Sequence, residues 1–179
     1  MPASEYLKLE QRLVLAAWGC HMLGYSSNKA MLEDLREVDE GYESTGRSHL
    51  VQRILSRGSK CLVKREDLEQ YDANVRSHLA YFNQHREEAL TLRYFQHLSL
   101  LISELFLDWR FNHKNTLRKE LNDFLYQHNI RRAPTDPRDT EFKDADLNKL
   151  AFWMATGSGK TILMHFHYRQ FLHYNQEPL

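Results

Sequence analysis

The sequence is poor in cysteine, in long apolar runs and in net charge, and each shortage excludes something. Its 179 residues contain two cysteines, Cys20 and Cys61, which lie far apart and fit no metal-type spacing. A disulfide-stapled scaffold is excluded on that count, and a reducing cytosol is the expected compartment. No apolar run approaches the ~20 residues needed to span a bilayer, so no membrane partner is expected. The start, Met1-Pro2-Ala3-Ser4-Glu5, lacks the basic-then-apolar order of a secretory signal. Lysine plus arginine and aspartate plus glutamate balance at 24 each, which excludes a global basic field for nucleic acid while leaving room for a local basic groove. Repeats and low-complexity tracts are also missing.

What is present is helical periodicity. Over residues 4–23, Leu9, Leu13, Ala16, Cys20 and Leu23 recur at helical spacing. Gly24 is placed to stop that helix. Ser27 is a candidate N-cap for a second helix carrying Met31, Leu32 and Leu35. A third runs over about 47–56 and a fourth over about 66–84, the latter with Leu68, Tyr71, Val75, Leu79 and Phe82 on one face. The next, from near Thr91, carries Leu92, Phe95, Leu98, Leu101, Ile102, Leu105 and Phe106 on more than one face, which predicts a central helix. A break at 112–115 precedes a helix with Leu117, Leu121, Phe124 and Leu125. Residues 131–141 then turn polar, charged and proline-bearing, and read as a linker between a helical domain over 1–130 and a second unit over 142–179.

That second unit holds the most specific signal in the chain. An apolar run, Leu150-Ala151-Phe152-Trp153, reads as a strand. Met154-Ala155-Thr156-Gly157-Ser158-Gly159-Lys160-Thr161 follows it, and then a helix with Ile162, Leu163, Met164, Phe166, Tyr168, Phe171 and Leu172, apolar nearly all round and so expected to be covered. Strand, glycine loop and helix are the context of a phosphate-binding loop. Gly157 and Gly159 let the backbone turn tightly and present N–H groups to phosphate oxygens. Lys160 can reach the β- and γ-phosphates, and the Thr161 hydroxyl can ligate Mg²⁺. The strict pattern begins with glycine where this chain has Met154.

This octapeptide resembles motif I of superfamily-two helicases of the DEAD/DEAH-related, restriction-subunit branch. Residues 147–165 resemble the start of the motor in that group, and the preceding ~140 residues its helical region. The resemblance implies a mainly α chain: an N-terminal helical accessory domain, then the first strand, phosphate loop and helix of a RecA-like α/β domain. It implies ATP and Mg²⁺ as cofactors, bound by Thr156, Gly157, Ser158, Gly159, Lys160 and Thr161. It also implies DNA, and subunits of a restriction or phage-defence system, as partners of a larger helicase or translocase. The chain ends eighteen residues past Thr161, before any Walker B acid or arginine finger, so the expectation is an N-terminal fragment with negligible hydrolysis of its own. A helical interaction module with an incomplete nucleotide site is the alternative.

Weaker signals surround this one. Leu92-Arg93-Tyr94-Phe95-Gln96 resembles the glutamine motif of the same helicases, in which the Gln96 amide would read adenine; the alternative is a polar position on a core helix. His165 and His167, two apart on a helix, face different ways and are no metal pair. Arg110, Lys114, Arg118, Lys119, Arg131 and Arg132 form a basic stretch with acids interleaved, read as a solvated face rather than a nucleic-acid track.

Overall fold

A computed structural model describes residues 13–134, 136–152 and 154–176. Among them are seven α-helices: α1 Val14–Met22, α2 Asn28–Leu35, α3 His49–Leu55, α4 Arg65–Asn83, α5 Tyr94–Asn112, α6 Lys114–Ile130 and α7 Lys160–Tyr174. Two 3-10 turns, Gly58–Lys60 and Asp146–Asn148, complete the regular structure. No described helix is long and apolar enough to cross a membrane.

Local chemistry sets the boundaries. Ser27 caps α2, its Oγ accepting from Ala30 N at 3.1 Å, and Ser48 caps α3 by accepting from Val51 N at 3.1 Å. Such a cap stabilises a helix by ~1 kcal/mol. Gly24 ends α1 in the left-handed region at φ +83°, where a Cβ would lie 2.5 Å from the Lys60 carbonyl oxygen, so only glycine fits. The chain breaks between α5 and α6 at His113, φ −140° and ψ 41°, where the sequence predicts an interruption.

The central element is α5. It packs on α3, α4, α6 and α7, and residues on every side of it are buried, among them Leu98, Leu100, Leu101, Leu105 and Phe106. Each fully buried side chain of this kind contributes ~1.5–3 kcal/mol relative to exposure. Trp18 of α1 meets Trp109 of α5 edge-on with ring centroids 6.2 Å apart, a preferred arrangement for aromatic quadrupoles. Leu117 and Leu121 of α6 close the core on one flank.

The strand expected at 150–153 is not seen: among the described residues no strand occurs, only an isolated antiparallel bridge between Tyr42 and Ser48. Trp153 lies outside the described residues, as do 1–12 and with them Leu9. Residues 149–152 are irregular, and Lys149 is extended at φ −126°, ψ 121°. The reason is pairing. An extended segment becomes a strand only when a neighbour takes its backbone groups, and here every neighbour is a helix.

The described boundary residues, 131–134 and 136–145, are irregular, yet they are fastened to α6. Asn122 Oδ1 accepts from Phe142 N at 2.7 Å, Asn122 Nδ2 donates to Phe142 O at 3.1 Å, and Arg132 bonds Asp139 at 2.6 Å. Beyond them, α7 returns to the same hydrophobic core, with Leu163 and Phe166 in one cluster with Trp18 and Leu105. Most of the basic stretch is spent on neighbouring side chains. Lys114 and Arg118 bond Asp144, Lys119 bonds Asp123 and Arg110 bonds Asn148.

Candidate functional site

The loop between the 3-10 turn and α7 is built by its glycines. Gly157 has φ +78° and Gly159 φ +83°, both left-handed, and Gly159 forms the N-cap of α7. Ser158 between them ties the turn, its N and Oγ both donating to Ala155 O at 3.3 and 2.7 Å. The amides of Gly157, Gly159, Lys160, Thr161 and Ile162 find no acceptor among the described residues. They are the orphan donors of a helix start, and successive N–H groups around left-handed residues form an anion-binding concavity. Lys160 folds back under the loop, its Nζ donating to Ala155 O at 2.9 Å and Met154 O at 3.3 Å. Thr156 and Thr161 are exposed.

Gln96, distant in sequence, stands at this loop. Its Nε2 donates to Ser158 O at 2.9 Å, and its Oε1 accepts from Arg93 N at 3.0 Å. Both ends of the amide are thus engaged, and Gln96 braces the loop from the first turn of α5. A Cβ on Gly159 would lie 2.6 Å from Gln96 Nε2, so the loop passes close because Gly159 has no side chain.

Beside the loop, α5, α7 and residues 147–152 and 154 line a groove of about 940 Å³. Its walls are apolar and aromatic, with Phe106, Phe111 and Phe171 among them, and its charged lining residues are Arg110 and Lys160. Phe152 lies flat on His167, centroids 4.0 Å apart and planes 13° from parallel. His167 Nδ1 is 3.1 Å from Ser103 Oγ and 3.0 Å from Gln170 Oε1, and burial holds its pKa below the ordinary imidazole value. His165 is exposed. As the spacing predicts, the two histidines do not converge, and no group of three His, Cys, Asp or Glu among the described residues could hold a metal.

The opposite face of α7 carries polar chemistry that sequence reasoning missed. Glu104 is fully buried at 0% exposure. Its Oε2 accepts from Asn74 Nδ2 at 2.8 Å and Tyr174 OH at 2.7 Å, and its Oε1 from Gln170 Nε2 at 2.7 Å. Burial raises its pKa, opposed by these three donors. His78 Nε2 approaches Glu104 Oε1 to 4.0 Å, but burial first, then Arg169 and His173, push the imidazole down to about 4. His78 is therefore neutral near pH 7, and the approach is no ion pair. Nearby, His97 Nε2 lies 2.9 Å from Asp72 Oδ1, while Asp72 Oδ2 accepts from Ser48 N at 2.7 Å. These partners are dozens of residues apart on different helices, and no local spacing signals them.

No family model matches the chain, and neither curated proteins nor solved structures match it.

Proposed function

We propose that the loop over 154–161 holds the phosphates of Mg–ATP, and that the chain is part of an ATP-dependent DNA helicase or translocase serving restriction or phage defence. The observation that supports phosphate binding is the loop itself. Two left-handed glycines and a row of unclaimed amides face outward at the start of a fifteen-residue helix, with Lys160 beside them. In this reading the amides of residues 156–160 cradle phosphate oxygens, and Lys160 exchanges its carbonyl partners for phosphate. Thr161 ligates Mg²⁺, and Gln96 keeps the loop in register with α5. No carboxylate lines the groove, so the described residues supply binding without a group to orient water, and turnover by this chain is negligible. The DNA-translocase part rests on the resemblance of the octapeptide alone.

The test is thermal unfolding with and without Mg–ATP. A ligand at a hundred times its Kd stabilises the folded state by ~2.7 kcal/mol. We expect a raised Tm for the native chain and none for Lys160→Ala. A second reading, a helical interaction module, draws on one observation: α7 exposes Met164, Tyr168 and Leu172 in a row four residues apart. Absence of nucleotide protection in the native chain selects it.

A further inference from the structure

We propose that the groove beside the loop is the nucleoside pocket: the base and sugar of the loop's nucleotide lie between α5, α7 and residues 147–152 and 154, rather than against Gln96. The inference rests on the phosphate-loop reading and adds to it where the rest of the ligand goes.

Four observations point there. Lys160 belongs to both places, since it lines the groove while its Nζ sits on the loop carbonyls of Met154 and Ala155. A ligand whose phosphates rest on the loop therefore has the groove as its adjoining cavity. The volume, about 940 Å³, falls within the ~300–1,000 Å³ typical of small-ligand clefts. Among the described lining residues the charge is of one sign, from Arg110 and Lys160, which suits a ligand carrying phosphate. Finally, aromatic walls are joined by directed polar groups at the rim. Arg110 holds Asn148 by its Oδ1, through Nε at 3.2 Å and Nη2 at 2.5 Å, so the Asn148 amide NH₂ is fixed with no acceptor among the described residues. Asn175 lines the same groove. A flat heterocycle with edge acceptors and donors matches aromatic walls and amide rims.

The competing place, Gln96, is occupied by the protein itself. Its amide oxygen and nitrogen are bonded to Arg93 N and Ser158 O, so one N–H and one oxygen lone pair of the amide are already spent on the protein.

The experiment compares Mg–ATP with inorganic magnesium triphosphate, which has the phosphates and no nucleoside, by isothermal titration calorimetry. Two neutral groove variants are used, both at partly exposed side chains: Met164→Trp, which fills the groove, and Phe171→Ala, which removes a wall. Far-UV circular dichroism confirms that each keeps its helices. We expect the native chain to bind ATP at least about tenfold tighter than triphosphate, the equivalent of 1.4 kcal/mol. We expect Met164→Trp to erase that ratio with triphosphate affinity unchanged, and Phe171→Ala to cut it about threefold. Equal affinity for the two ligands in the native chain, or an unchanged ratio in both variants, overturns the groove assignment and leaves the loop reading standing. A native chain that binds neither ligand removes the loop reading, and this one with it.

Discussion

Helices α5 and α7 lie side by side and parallel, as the pairings Gln96 with Ser158, Ser103 with His167 and Glu104 with Tyr174 show. Both are rich in large apolar residues, and their sequences read alike as helices meant to be covered. They are not treated alike. α5 buries residues on all sides, whereas α7 buries Leu163, Phe166 and Gln170 and leaves Met164 60% and Tyr168 63% exposed. Apolar composition measures what a helix could bury; only its neighbours decide what it does bury. α5 packs on α3, α4, α6 and α7 and meets α1 through Trp109 and Trp18. α7 has α4 and α5 on one side and the open groove on another. The helix that presents the loop is thus anchored along one stripe and left accessible along the rest.

The largest expected effect tests the anchored side. Leu105 is 1% exposed in the centre of α5. Leu105→Ala removes a fully packed side chain and leaves a cavity, which costs ~2–5 kcal/mol. Urea unfolding should show the midpoint falling with an unchanged m-value. A loss under ~1 kcal/mol would mean that α5 is not the core helix and that its contrast with α7 fails.

Next in size is a pH effect seated where α4, α5 and α7 meet. His78, held near pKa 4 by burial, stays neutral in the folded chain, while its unfolded counterpart takes a proton near pH 6.5. Between those values the unfolded state binds more protons, so stability falls as pH falls, by ~3 kcal/mol over the whole window. Glu104 works the other way. Its pKa is raised by burial, so the folded state holds the proton at pH values where the unfolded chain has lost it. That contribution is present at low pH and is lost as pH rises through the folded value. The native chain should therefore lose stability from pH 6.5 to 4 less steeply than His78 alone dictates. His78→Leu should abolish the fall and leave the Glu104 slope of opposite sign. Chemical denaturation at half-unit pH steps reads both; parallel curves for the two proteins would remove His78 from the account.

The contrast between the two helices also marks what was legible in the sequence. Spacings of three and four in Leu68, Tyr71 and Val75, the serine at 27 and the glycine at 24 are local signals, and local signals carry helices and their ends. The glycines at 157 and 159 are legible for the same reason, because a left-handed φ is a property of the residue. The apolar run 150–152 misleads: strand propensity needs a partner strand, and the fold offers helices. Tertiary choices were not legible. Nothing near Glu104 in the sequence names Asn74, Gln170 and Tyr174 as its donors. Nothing near Met164 says that its side faces a groove while Leu163 next to it faces the core. Gln96 was legible as a residue of interest, but its bond to Ser158 is a matter of how α5 meets the loop.

The smallest expected effect is the sharpest check on α7. Tyr168 sits one turn beyond Met164 on the exposed face, 63% exposed. If that face is open in the free chain, Tyr168→Ser exchanges one solvated side chain for another on a surface that buries nothing, and stability should stay within ~0.5 kcal/mol of the native value. Helix propensity differs little between the two residues, so the change isolates burial. A loss above ~2 kcal/mol would mean that another surface already covers Tyr168 in solution. Concentration dependence of Tm then separates the sources, since a second copy of the chain makes Tm rise with protein concentration and an intramolecular cover does not. The same small substitution therefore decides whether α7 is open along its exposed face, as α5 is closed, or whether the two helices differ less than their surfaces suggest.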